Sequence, residues 1–163
     1  MDDSLPIQIH LELVTPDRLM VRESVLAVSL PGREGYLGVL PGHAPLLSEL
    51  KAGELSYLQG SLTHYLFVNW GFAEVLPDRV IVLVESSERP EEIDAERATR
   101  ARQRAEERLK GAGEPEIDAE RARVALERAM ARLAVAQRSL QLAGPGVPSR
   151  EGSSFLAPNG PAH

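Results

Sequence analysis

RVIVLVESSERPEEIDAERATRARQRAEERLK, residues 79–110, changes period part-way along. RVIVLVE (79–85) reads as a strand, and from Asp94 the chain turns to Ala, Glu, Arg and Leu at helical spacing. The residues before the change read in period two, and those after it read as helix. The fold class that results is β followed by α.

Upstream, Ile7, Ile9, Leu11 and Leu13 of PIQIHLELVTP alternate with Gln8, His10 and Glu12, the pattern of a half-buried strand ended by Pro16. Further strands are expected in SVLAVSL (24–30), YLGVL (36–40), GELSYL (53–58), THYLFVN (63–69) and FAEVL (72–76). Gly60, Gly71 and Pro77–Asp78 punctuate them. Short strands at this spacing predict an antiparallel sandwich or barrel. Phe67, Trp70 and Phe72 are expected to fill its core or one end.

Downstream, Asp94 is placed to cap a helix running to about Lys110, with Glu96 in its positive first turn. GAGEP (111–115) breaks it, Asp118 is expected to cap a second helix reaching about Ala143, and GPG (144–146) stops that one. The short connection makes the helices antiparallel neighbours. Ala122, Leu126, Ala129, Leu133, Ala136 and Leu140 face Ala98, Ala101, Ala105 and Leu109 across a coiled-coil-like seam. Alanine buries little apolar area. The hairpin is therefore either a switch that can change its packing or a permanently docked pair. EIDAERA occurs at 92–98 and again at 116–122, so both helices begin alike. The expected organisation is a sandwich over 5–89, a helix-loop-helix over 90–143 and a disordered Pro/Gly/Ser-rich tail over 144–163.

The 163 residues carry no cysteine, which excludes disulfides and thiolate metal sites. No apolar run approaches a membrane span, and MDDSLP lacks a secretory h-region, so membrane association is expected only through a partner. The net charge of −6 falls within residues 1–90, and no segment has the basic footprint that nucleic acid requires.

Little chemistry is evident. Gly32, Gly35 and Gly38 precede a strand rather than a helix, and no glycine leads into G-K-[ST], so neither phosphate-cradling loop is present. The histidines His10, His43, His64 and His163 are scattered. One constellation stands out. Arg97, Arg100, Arg104 and Arg108 form a stripe on the first helix, and in an antiparallel hairpin Arg97 lies level with Arg128 and Arg132. Converging guanidiniums suit a phosphate. Solvated charge backed by i,i+4 pairs such as Glu96–Arg100 is the other reading.

PGREGYLGVLPGHAPLL (31–47), above all its LPGHAPLL core, resembles the signature of the epsilon subunit of the F-type ATP synthase. VTPDRLMVRESVLAVSLPG, NWGFAEVLPDRVIVLVE and the Ala-rich hairpin follow in that family's order. The resemblance spans about residues 5–142. It implies a sandwich of about ten strands and a helical hairpin. It also implies a non-catalytic rotor subunit that grips the gamma shaft, rests on the proteolipid c-ring and couples proton flow to ATP synthesis. Such a subunit sits peripherally on the cytoplasmic face of the bacterial membrane. Its hairpin, when extended along the shaft, meets the alpha/beta hexamer and opposes ATP hydrolysis.

Glu34, Tyr36 and His43 fall where the family meets the ring, with Tyr36 replacing an acidic residue common in relatives. Some bacterial members bind ATP through an I/L-D-x-x-R-A motif, matched here by Ile93, Asp94, Arg97 and Ala98. Glu88, Arg104, Arg128 and Arg132 stand where those members have further contacts. No cofactor is required by this reading; ATP would be a regulatory ligand, with magnesium left open. The competing readings are a free-standing ATP sensor and an unrelated sandwich-plus-hairpin scaffold.

Overall fold

The computed structural model describes residues 4–111 and 116–142; the tail expected over 144–163 lies outside them. Ten strands come first: β1 (Ile9–Val14), β2 (Leu19–Val25), β3 (Ala27–Gly32), β4 (Gly35–Val39), β5 (Leu46–Leu50), β6 (Gly53–Gln59), β7 (Leu62–Val68), β8 (Gly71–Val75), β9 (Arg79–Val84) and β10 (Ser87–Glu88). A 3-10 turn (Pro90–Glu92) leads into α1 (Ala95–Lys110), and α2 (Glu116–Leu142) completes the hairpin.

The strands form one sheet in the order β10-β7-β6-β3-β5-β8-β9-β1-β2, with β4 on β3. The sheet folds over until Leu26 N–H donates to Leu58 C=O at 2.7 Å. Period two decides what goes inside: Ile9, Leu11 and Leu13 are fully buried, and Leu30, Leu50, Leu55, Val75, Val80 and Val82 join them. Gly71 is held to glycine by close approach, because a Cβ there would stand 2.1 Å from the Leu83 carbonyl oxygen.

Several expectations are corrected. Pairing is antiparallel except between β1 and β9, which run parallel. SVLAVSL divides between two strands at Leu26, and β5 and β10 are additional. Ile7 precedes β1 and is exposed. Trp70 and Phe72 are 53% and 41% exposed rather than core, because β8 turns Gly71, Ala73 and Val75 inward and Phe72 outward. Asp118 lies within the first turn of α2, where Arg121 Nη1 approaches it at 3.7 Å, rather than capping it.

Asp94 does cap α1, its Oδ1 accepting the Arg97 N–H at 2.9 Å. Such a cap is worth about 0.5–2 kcal/mol. The hairpin seam is as expected at Ala98, Ala105, Ala122 and Ala129, all buried. A second apolar contact was not foreseen. Val135 of α2 is fully buried against Phe67 of β7 and Ile93, and this small cluster docks the hairpin on the sandwich.

Candidate functional site

Where α1 and α2 cross the end of β10, a polar cleft of about 410 Å³ opens. Its size falls in the range of small-ligand sites. α1 contributes Arg97, Ala98, Ala101 and Arg104, and α2 contributes Ala125, Arg128, Ala129 and Arg132. Glu88, Glu92 and Asp94 complete the rim. The alanines of the seam are the reason a cleft exists: methyl groups leave space that leucine would fill. Antiparallel pairing then sets four guanidiniums around that space.

Their electrostatic states differ. Arg132 Nε donates to Glu88 Oε1 at 2.7 Å, and its guanidinium stands 4.3 Å from the centroid of the Phe67 ring. Arg128 Nε is buried with no hydrogen-bond partner among the described residues. Arg97 and Arg104 are exposed, and among the described residues neither has an ion pair. The acids of the rim are otherwise engaged. Asp94 caps α1. Glu92 accepts Arg18 Nη2 at both oxygens, at 2.9 and 2.8 Å, and the Arg89 N–H at 2.8 Å. The backbone N–H of Arg89, helped by the Arg18 guanidinium, holds the Glu92 carboxyl below its ordinary pKa. The cleft thus presents donors that no other described residue satisfies, which is the chemistry of an anion site. Among the described residues no three His, Asp or Glu are grouped to hold a metal ion.

Seven of the eight residues expected at a nucleotide line this cleft: Glu88, Asp94, Arg97, Ala98, Arg104, Arg128 and Arg132. Ile93 does not line it; it is buried with Phe67 and Val135. Sequence reasoning missed Glu92, a charged lining residue, and Phe67, which lies outside the lining but carries the Arg132 guanidinium on its ring. Both act through contacts made only by the folded chain.

Of the second expected group, Glu34 and Tyr36 line one shallow cleft and His43 lies apart from it. Glu34 occupies the β3–β4 turn and His43 the β4–β5 connection, at opposite ends of β4, rather than one loop. Tyr36 is 63% exposed, and its Oη accepts the Glu54 N–H at 3.3 Å. His43 Nδ1 donates to the Ala44 carbonyl at 2.8 Å.

A third surface was not foreseen. On the outer face of β5-β8-β9, Leu47 lies beside Glu74 and Ile81, and Glu49 beside Phe72 and Leu83. Leu47 is 70% and Leu83 55% exposed. Trp70 borders them, edge-on to Phe72 at 5.5 Å, its Nε1 donating to Glu49 Oε1 at 3.1 Å. A contiguous exposed apolar face marks an interaction surface.

Comparison with known proteins gives a consistent result. Residues 8–90 match the model of the ATP synthase delta/epsilon chain β-sandwich domain, and residues 91–137 that of its long α-helix domain. The ATP synthase epsilon chain of Koribacter versatilis is 56% identical over 102 residues, covering 63% of this chain and 72% of that one. The epsilon chain of Nitratidesulfovibrio vulgaris (strain DP4) is 54% identical over 101 residues, 62% and 75% of the respective chains. Among solved structures, a chain of the Euglena gracilis mitochondrial ATP synthase (OSCP/F1/c-ring) superimposes with a TM-score of 0.71 at 26% identity, covering 86% of each chain.

Proposed function

The chain belongs to the delta/epsilon chain family of ATP synthases, as an epsilon chain of the bacterial type, and from that premise we propose that it works as a rotor subunit whose hairpin senses ATP. It does no chemistry itself. The sandwich grips the gamma shaft, rests on the proteolipid ring, and is thereby held at the cytoplasmic face of the membrane. Among the described residues no helix is long and apolar enough to cross that membrane. The apolar face around Leu47, Phe72 and Leu83 supports the gamma contact. Tyr36, exposed on β4, supports a contact with the ring at that edge. The extended hairpin reaches the alpha/beta hexamer and restrains hydrolysis.

The observation that carries the regulatory reading is the cleft. Its unpaired guanidiniums come from both helices, and Glu88 comes from the sandwich. A triphosphate there ties α1 to α2 through their guanidiniums, and Glu88, an acceptor, is placed for an amino or hydroxyl group of the nucleoside, so ATP favours the docked hairpin. A ligand that binds only one state stabilises it by about 2.7 kcal/mol at a hundred times its Kd, enough to decide between two packings of similar energy.

Titration calorimetry of the isolated protein with ATP tests this. Heat is expected in the micromolar-to-millimolar range. Arg97→Ala is expected to weaken binding at least tenfold, since a charge-assisted hydrogen bond contributes about 1.5–3 kcal/mol. No heat at millimolar ATP, or unchanged affinity in Arg97→Ala, would overturn the nucleotide reading.

A further inference from the structure

Arg132 and Arg138 seize the sandwich in the same way. Each lays its guanidinium on an aromatic ring of β7 and pairs with a glutamate of a neighbouring strand. Arg132 uses Phe67 and Glu88. Arg138 uses Tyr65, 4.5 Å from the ring centroid, and Glu54, to which Nε and Nη2 donate at 2.9 and 3.0 Å. Phe67 and Tyr65 are two residues apart on one strand and share a face. Arg132 and Arg138 stand three residues either side of the buried Val135, so they flank it by about 60° each on the helix. The result is a central apolar contact with a cation–π clasp on each side.

The two clasps differ in one respect. Arg132 and Glu88 line the cleft, so a ligand entering it competes for them. Arg138 and Glu54 lie outside the cleft. We propose that the Arg138–Glu54–Tyr65 clasp is a nucleotide-independent latch that keeps α2 docked on the sandwich and must open before the hairpin can leave. The proposal rests on the reading that the hairpin moves. The Glu54 side chain is only 18% exposed, so the pair is less screened than a surface pair. Its bidentate geometry and the ring beneath it add directionality. The Glu54 hydrogen bond raises the Arg138 pKa above its ordinary value, so the guanidinium stays charged, and the pair weakens as ionic strength rises. Glu54 also reaches the surface proposed to meet the ring, since its N–H donates to Tyr36 Oη.

The chain has no cysteine, so two introduced ones can carry spin labels without interference. Ser61→Cys on the β6–β7 turn and Glu127→Cys on α2 are both exposed. Distances between the labels on the full chain, without nucleotide, report docking. Glu54→Arg and Arg138→Glu are each expected to lower the docked-to-undocked ratio roughly five- to thirty-fold, and the double swap to recover at least part of it. In the unsubstituted pair, raising salt toward 1 M is expected to lengthen the mean distance. Single variants that dock as well as the parent would overturn the latch. So would a swap that recovers nothing, because the loss would then lie in misfolding. ATP added to the single variants separates the two ideas. Rescue of docking agrees with both, while no rescue alongside a clear loss counts against the nucleotide site and leaves the latch standing.

Discussion

The sandwich and the hairpin are held by different means. In the sandwich, Ile9, Leu11, Leu13, Leu30, Leu50 and Leu55 lose all contact with water, and strands β1 to β9 share that one core. The hairpin docks through Val135, Phe67 and Ile93, a ring of alanines and two arginine clasps. One contact depends on apolar area and fails all at once. The other depends on a few separable pieces, and each can be lost without the rest. On the proposed function, a body that stays rigid while it turns and an arm that lets go of it call for that division.

The largest effect that would test the division belongs to the sandwich. Leu11→Ala is expected to cost about 2–5 kcal/mol, read as a lower thermal midpoint of the strand signal. A docking equilibrium that shifts from the parent's in Leu11→Ala, at temperatures where the variant's strands remain folded, would break the comparison, because Leu11 belongs to the sandwich core alone. Next comes Val135→Ala, which removes roughly 1–2 kcal/mol of apolar burial from the docking contact alone. The strand midpoint should hold, the undocked share should rise roughly five- to thirty-fold, and an assembled complex should hydrolyse ATP more slowly. A lowered strand midpoint with unchanged docking would reverse the assignment.

The smallest effect is one of pH. Glu92 has its carboxyl pKa lowered by the Arg89 N–H and by Arg18, which tie the 3-10 turn to the sandwich. Because the folded value lies below the unfolded one, near 4.3, the stabilisation is complete above that value and is lost as pH falls through the folded pKa. Glu92→Gln should remove this acid-side dependence from the stability of the turn's attachment. An identical acid profile in the variant would show that the turn is held by something else.

The legible part of the fold was the part set by local period. Ile9, Leu11 and Leu13 announce their strand because one side is water and the other core. The parallel pairing of β1 with β9 could not be read, since residues about seventy apart leave no trace in either strand. LMVRESV, with Arg22 and Glu23 in it, hides a strand behind its charges, and β10 is too short for any period. Trp70 and Phe72 misled because size suggests burial, whereas alternation with Gly71 and Ala73 puts them outside. The arginines of the cleft were legible because a hairpin fixes which residues lie level. Val135 was missed because it sits off the Ala/Leu seam, on a second face that only the sandwich defines. Phe67 and Glu92 owe their places beside the cleft to partners far away in the chain.

Trp70 is the chain's one tryptophan, and it stands half-open to water beside Phe72 and Glu49, away from the groups that hold α2. Its fluorescence is therefore a built-in gauge of one event. A partner that covers the outer face of β5-β8-β9 strips water from the indole and moves its emission toward the blue. Motion of the hairpin leaves the colour unchanged. Assembly and regulation can then be followed separately in the unlabelled protein, the first by light and the second by distance.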